Sequence, residues 1–217
     1  MIFLSELSKV CKIFFSKFLT SLSMDTLGEK DLPVISAARD GIAILKRDKA
    51  KVSEVFGKAS ATTWAIVILL IPFVVNTVIS AITSAGYWSV MMRFYAIPML
   101  SAAGGIFVVG LIAQYAFKAK ADHMGNLRVL GYASIGMILT VVPVILGLLD
   151  VYVADLYNIA SWLGYVGILI AAYSLLIDHY KLNSQNAVVT IIGTGIGFAI
   201  LQEIFGRILV GSFYAFM

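Results

Sequence analysis

The chain has only two histidines, and each follows an aspartate where apolar sequence gives way to polar sequence. One pair lies in KAKADHMGN (118–126) and the other in LLIDHYKLNSQN (175–186). Imidazoles and carboxylates together suit a divalent ion such as zinc, nickel or manganese. Neither pair has the His-x-x-x-His spacing that places two ligands on one helical face. Two interpretations stay open: two ordinary headgroup-level borders, or one shared divalent metal site formed by Asp122, His123, Asp178 and His179.

Four further polar residues lie in or at the ends of apolar runs. Glu203 and Arg207 are four residues apart, which is the spacing of an intrahelical ion pair. Asn76 and Gln114 predict either hydrogen bonds between helices or, with Glu203, a polar path. The sequence contains no continuous relay of acidic residues across the apolar runs, which argues against a proton-coupled pump.

Enzymatic chemistry finds little support in the residue types. The sequence has no Ser-His-Asp order, no His-Glu-x-x-His motif and no pair of aspartates within an apolar run. Cys11 is the only cysteine, which excludes an internal disulfide and a cysteine cluster within one chain. Basic residues flank apolar runs without any base-reading motif. We therefore expect a non-enzymatic protein that does not bind nucleic acid.

Composition defines the fold class. The chain is 60% hydrophobic and 13% charged, a balance typical of integral membrane proteins. Five apolar runs are long enough to cross a hydrocarbon core of roughly 30 Å. The prediction is an all-α, polytopic membrane bundle of five transmembrane helices, preceded by N-terminal amphipathic interfacial helices. The five predicted spans cover about 64–83, 94–117, 128–149, 159–178 and 187–208.

The chain is predicted to divide into four parts. Residues 1–23 have apolar side chains at helical spacing and predict an amphipathic helix on the membrane surface, rather than a signal peptide. Residues 24–60 predict a linker and a second amphipathic basic helix, and residues 61–210 the five-span bundle. A short tail, 211–217, follows. The apolar face of the second helix could rest on lipid or on the bundle, and its basic face could be solvated or attract anionic headgroups. These residues are Ile35, Ile42, Leu45, Val52 and Phe56 on the apolar face, and Lys46, Arg47, Lys49 and Lys51 on the basic face.

The distribution of basic residues predicts the topology. Lys and Arg are frequent before the first span and in the connector after the second, and the connector after the fourth has Lys181. Of the alternate connectors, 84–93 has only Arg93 and 150–158 has none. Cytoplasmic loops carry an excess of Lys and Arg. The N-terminus is therefore expected in the cytoplasm and the C-terminus outside. Both Asp-His borders then lie on the cytoplasmic side, where they could meet.

This order of features resembles the Ypt-interacting protein (Yip) family of five-span membrane proteins. NLRVLGYASIGMILTVVPVILGLL (126–149) resembles the family's third span, with its Gly-Tyr start and later proline. WLGYVGILIAAYSLLIDHYKLNSQNAV (162–188) is similar to its fourth span, polar turn and the alanine that opens the fifth. The resemblance covers roughly residues 40–210. It implies a membrane scaffold or adaptor that organises or shapes membrane, with a protein partner or homo-oligomer.

One family motif is missing from this chain. Eukaryotic members carry Asp-Leu-Tyr-Gly-Pro before the first span and are associated with small Rab-type GTPases. The matching place here reads KASATTWAIVILLIP, and the DLYN at 155–158 precedes the fourth span. GTPase binding is therefore in doubt, and the compact chain is similar to prokaryotic members in a plasma membrane. The alternative function is a small ion or solute transporter or channel that uses Asn76, Gln114 and Glu203.

Overall fold

A computed structural model describes residues 33–83, 87–147 and 154–211, and every regular element within these ranges is a helix. The predicted surface helix at 1–23, Cys11 and the tail after residue 211 lie outside the described residues. The chain divides into two units, Met1–Ser36 and Ala37–Met217, and the contacts given below belong to the second. The helices are α1 Pro33–Leu45, α2 Lys49–Gly57, α3 Ala61–Thr83, α4 Trp88–Phe117, α5 His123–Ala133, a 3-10 segment Ser134–Thr140, α6 Val141–Gly147, α7 Ala154–Asp178 and α8 Ser184–Leu209.

The predicted bundle of five membrane-spanning helices is confirmed. α3, α4, α7 and α8 each form one span, and α5, the 3-10 segment and α6 together form another. All five spans begin a few residues before their apolar runs, and in two of them, at α5 and α8, a polar side chain caps the start. Asp122 accepts a hydrogen bond from the Met124 N–H at 2.9 Å, and Asn183 accepts one from the Asn186 N–H at 2.8 Å. These side chains bond donors that the first helical turn leaves unpaired.

The 3-10 segment gives the third span a tighter middle section. Pro143, one turn beyond, has no N–H to bond the Leu139 carbonyl, and Thr140 Oγ1 donates to the Met137 carbonyl at 2.8 Å. The segment lies close to α7: a Cβ added at Gly164 would be 2.6 Å from Met137 Cγ. The third and fourth spans therefore pack nearly backbone to backbone at this level.

The buried core extends through the bundle, and α4, α7 and α8 meet in it at Phe198. The Phe198 ring of α8 stacks on Tyr165 of α7, with ring centroids 4.7 Å apart. It occupies the space that a Cβ at Gly105 of α4 would need. Gly193 and Gly197 of α8 face Ile112 and Val108 of α4, so the two helices approach closely along these glycines.

Within 24–60, where the sequence predicts a linker and one amphipathic basic helix, the chain forms α1 and α2 with a break between them. Arg47 has a left-handed φ of 65°, and Asp48 then caps α2 by accepting a hydrogen bond from the Lys51 N–H at 3.1 Å. The bundle covers the apolar side of both helices. Val52 and Val55 are buried, and Leu45 lies against Gly167 of α7.

Candidate functional site at the basic end of the bundle

The two Asp-His borders meet at one end of the bundle, and Tyr180 joins them. Its Oη accepts a hydrogen bond from the Asp122 N–H at 3.0 Å, and the phenol proton is within reach of two acceptors, the Asp122 carbonyl at 3.1 Å and the Asn126 Oδ1. Burial raises the pKa of Tyr180 to about 12, so the phenol stays neutral and remains a donor. The turn after α7 is thereby fastened to the start of α5.

His179 belongs to the contact between this turn and α2. Its ring stacks on Phe56, with centroids 4.6 Å apart and planes at 22°, and its Nε2 lies 3.4 Å from Ser53 Oγ. Burial lowers the pKa of His179, because an imidazolium loses hydration against the aromatic surface. The histidine therefore acts as a neutral packing partner of α2.

His123 lies against α4. Its Nε2 is 3.3 Å from Gln114 Oε1, and its ring lies 6.4 Å from that of Phe107, centroid to centroid. His123 Nδ1 is buried, and no hydrogen-bond partner for it occurs among the described residues. Gly110 leaves room for the imidazole, since an added Cβ would be 2.7 Å from that nitrogen.

The four predicted metal ligands do not converge on one point. Asp178 Oδ1 binds Lys49 Nζ at 2.9 Å, and Asp122 caps α5. The described part of the chain contains no group of three or more His, Cys, Asp or Glu residues that could hold a metal ion. The divalent metal site at Asp122, His123, Asp178 and His179 stays a prediction for which the described geometry supplies no ligand cluster.

Phe56 and Arg128 fasten α2 to the bundle. The Phe56 ring lies over Gly125, in the space that a Cβ there would need, and meets Tyr180 edge-on at 6.4 Å between centroids. Arg128 Nη1 donates to the Phe56 carbonyl at 2.8 Å, and its Nε donates to Thr62 Oγ1 at 2.9 Å. A guanidinium at the C-terminal end of α2 also complements the helix dipole. We call these contacts around Phe56 the α2 dock.

Sequence reasoning missed most of the α2 dock. It named Phe56 only as part of an apolar face and His179 only as a metal candidate. Gly125, Arg128 and Tyr180 were not singled out. Gly125 in the first turn of a span gave one usable signal, because a glycine there indicates the close approach of another group.

Three basic residues at this end adopt the left-handed backbone conformation. Arg47, Lys118 and Lys181 have φ values of 65°, 54° and 55°, each just past the end of a helix. The Ala119 N–H reaches the Ala113 carbonyl at 3.0 Å, and the Leu182 N–H reaches the Leu176 carbonyl at 3.1 Å. These bonds define helix ends at which glycine is the usual residue. A side chain there costs roughly 1 kcal/mol, so each lysine is kept at some expense of stability.

This end carries a surface rich in exposed cations, which we call the basic face. Arg47 Nε lies 3.4 Å from Ser174 Oγ, and its guanidinium is 5.6 Å from the ring centre of Tyr173. Lys49 forms an ion pair with Asp178. Within 33–83, 87–147 and 154–211, the other exposed cations of this face form no ion pair. The exposed members of the basic face are Lys46, Arg47, Lys49, Lys58, Lys118, Lys120 and Lys181.

Asn76 lies inside the bundle, away from the basic face. Its Nδ2 donates to Thr140 Oγ1 at 3.0 Å, while its buried Oδ1 has no hydrogen-bond partner among the described residues. It lines a cavity of about 10 Å³ for a water-sized occupant, roughly the space that one water molecule needs. The other lining residues are Leu69, Pro72, Phe73, Tyr95, Pro98, Met99, Met137, Thr140 and Tyr157.

The remaining predicted polar residues have different surroundings. Arg207 Nε donates to Glu203 Oε1 at 2.7 Å, so the ion pair predicted from their spacing is present. Both side chains are exposed on α8, while Gln114 binds His123 at the basic end. Asn76, Gln114 and Glu203 therefore have separate partners, and the described contacts do not join them into a path.

Comparison with family models, with curated proteins and with solved structures returns no match for this chain. The Yip resemblance remains a prediction from local sequence and helix order.

Proposed function

We propose that this protein is a non-enzymatic integral membrane scaffold of the Yip type, whose basic face holds anionic lipid headgroups and forms a platform for partners. The main supporting observation is that lysines occupy left-handed backbone positions, where glycine would be less strained. Lys118 and Lys181 both occupy such positions, and both side chains are exposed. A backbone strain kept at a charged residue supports a role for the charge.

The α2 dock supports this proposal by giving the basic face a fixed shape. α2 is held by Phe56 and by the Arg128 hydrogen bonds, and the Lys49–Asp178 ion pair ties its first turn to the end of α7. Lys46 and Lys58 lie just before and just after α2 and are exposed. Each cation near an anionic membrane surface contributes about 1 kcal/mol of attraction. A docked helix holds these cations together at one level of the bundle.

The charge at the two ends of the bundle supports the orientation. The described charged residues towards the other end are few: Arg93, Asp155, Glu203 and Arg207. An excess of Lys and Arg is typical of the cytoplasmic side. We therefore propose that the basic face and the N-terminus are cytoplasmic and the C-terminus outside. The prokaryotic plasma membrane is proposed from the Yip resemblance alone.

The experiment compares purified wild-type protein with the double variant Lys118→Gly/Lys181→Gly. Thermal unfolding is followed in detergent with added phosphatidylglycerol or with added phosphatidylcholine. We expect the variant to be at least as stable without added lipid, since the left-handed strain is relieved by roughly 1 kcal/mol per site. We also expect its stabilisation by phosphatidylglycerol to be smaller than that of the wild type.

The matched control is Arg93→Gln, which removes a cation from the other end. It should leave the response to phosphatidylglycerol unchanged. Equal stabilisation of wild type and double variant by phosphatidylglycerol would refute the headgroup-binding platform. Equal stabilisation by both lipids would refute it as well, because charge would then play no part.

A small-solute channel is the second candidate, and the cavity at Asn76 is the observation that favours it. The cavity lies between Pro72 of α3 and Pro98 of α4, two helices in which proline removes a backbone donor. Protein in liposomes is assayed for ion flux against empty vesicles and against Asn76→Leu. The scaffold proposal expects no flux above the empty-vesicle level. A flux that Asn76→Leu abolishes would replace the scaffold by the channel.

A further inference from the structure

α8 presents an apolar stripe to the outside of the bundle. Only 17% of its most apolar 18-residue stretch is buried within the chain, whereas the corresponding share in the other four spans is 33% to 61%. The outward side chains follow one another at intervals of three or four residues, which places them on one helical face. The stripe consists of Val189, Ile192, Ile196 and Ile200, and it continues into Glu203 and Arg207.

The ion pair at the end of this stripe is poorly satisfied by the chain alone. The side chains of Glu203 and Arg207 are 44% and 70% exposed, and one hydrogen bond joins them. In the described part of the chain, the other Glu203 oxygen and the remaining Arg207 N–H groups have no partner. A guanidinium offers five N–H donors and a carboxylate accepts at two oxygens, so most of their bonding capacity is left for another molecule.

The depth of the pair makes this exposure significant. α8 has 26 residues and is therefore about 39 Å long, which exceeds the hydrocarbon thickness of roughly 30 Å. Glu203 precedes the helix end at Leu209 by six residues, or about 9 Å. Its carboxylate thus lies near the border of the hydrocarbon region. Lipid chains cannot hydrogen-bond a carboxylate, and an ionisable group at such a place normally faces protein or water.

We propose that a second copy of this chain covers the α8 stripe, with the two α8 helices parallel and related by a two-fold axis along the membrane normal. Such an axis places each residue level with its own copy, so the charges complement each other only through contacts offset by one helical turn, about 6 Å along the axis. Glu203 of each copy then meets Arg207 of the other, one helical turn away. The isoleucines of the two stripes pack against one another below the charges. This interface uses nothing of the basic face and does not depend on the proposed headgroup binding.

α3 provides an internal comparison that separates this interface from an ordinary lipid-facing surface. It has an exposed apolar stripe of Ile66, Leu70, Val74, Val78 and Ile82, whose exposed fractions are 37% to 54%, against 50% to 58% in the α8 stripe. α3 contains no charged residue. Lipid chains satisfy the apolar α3 stripe, whereas the α8 stripe ends in an ion pair whose remaining donors and acceptor lipid chains cannot bond. Ile200 at 54% and Val78 at 51% are matched in exposure and in branching at Cβ.

The first test is cysteine cross-linking in liposomes at a low protein-to-lipid ratio, in a Cys11→Ala background. Ile200→Cys and Ile196→Cys report on α8, and Val78→Cys and Val74→Cys report on α3. We expect an oxidant to produce covalent dimers from the α8 variants at least tenfold faster than from the α3 variants. Equal rates from both helices, or no dimer from either, would overturn the proposal.

The second test places like charges on each chain and then mixes two chains. Glu203→Arg makes the pair wholly cationic, and Arg207→Glu makes it wholly anionic; each is combined with Ile200→Cys. Each chain alone should cross-link less than the parent, because like charges then face one another across the axis. The mixture should recover the parent rate and contain mainly mixed dimers. If mixing restores nothing, the pair acts only within its own helix, and the assignment of the interface is wrong.

Discussion

Phe56→Ala tests whether α2 is a docked part of the bundle. Removing a fully buried phenylalanine costs about 3–5 kcal/mol. Phe56 is only partly buried, so about half of that cost applies, and the stacking on His179 contributes roughly 0.5–1.5 kcal/mol more. The free energy that holds α2 against α5 should therefore fall by roughly 2–4 kcal/mol.

Amide hydrogen exchange measures this change directly. If exchange in α2 proceeds through local opening, a loss of roughly 2–4 kcal/mol accelerates it by roughly 30- to 700-fold. Exchange in α7 and α8 should change much less, because their core around Phe198 is untouched. Tyr115→Ala is the control: it removes an aromatic ring that is 77% exposed, and it should leave α2 exchange as it is. Unchanged exchange of α2 in Phe56→Ala would refute the docking.

Three further predictions concern the polar contacts. Burial lowers the pKa of His179 below its ordinary value of 6.5, so the histidine binds a proton more readily when α2 is detached. Docking of α2 should therefore be strongest above about pH 6.5 and weaken as the pH falls. His179→Gln should flatten this pH dependence in hydrogen-exchange measurements. Tyr180→Phe should lower the free energy of unfolding by about 1–3 kcal/mol in denaturant titrations, because the partners of the phenol are left unsatisfied. Thr140→Val should lower the free energy of unfolding by a similar amount, because it leaves the buried Asn76 Nδ2 without an acceptor. Asn76→Leu should be nearly neutral in the same assay, because it removes that donor together with the Asn76 Oδ1, which has no partner among the described residues.

The spans were predictable because their signal is local. An apolar run of about 20 residues needs a helix to pair its backbone groups in lipid, wherever the other helices lie. The Glu203–Arg207 ion pair was also predictable, since four residues along a helix fix the relation of the two side chains. The predicted starts of the third and fifth spans lie a few residues too late, because Asp122 and Asn183 have the polarity of connector residues but cap the helices that follow.

The candidate site was not predictable in the same way. Tyr180 and Asp122 are 58 positions apart, and only the packing of two helix ends brings them together. The Asp-His pairs have residue types that suit a metal, but packing decides where each ring lies. His179 stacks on Phe56 of α2, and His123 lies beside Gln114 of α4. Residue type thus identified the right end of the molecule without identifying the contacts.

The central claim is that the basic face binds anionic headgroups, and a count of retained lipid tests it most directly. Wild type and Lys118→Gly/Lys181→Gly are released from nanodiscs that contain equal amounts of phosphatidylglycerol and phosphatidylcholine, and bound lipids are counted by native mass spectrometry. We predict that wild type retains phosphatidylglycerol in preference and that the variant, which lacks two of the seven exposed cations, shows a smaller preference while remaining folded. Retention of both lipids in equal amounts by wild type would contradict the claim.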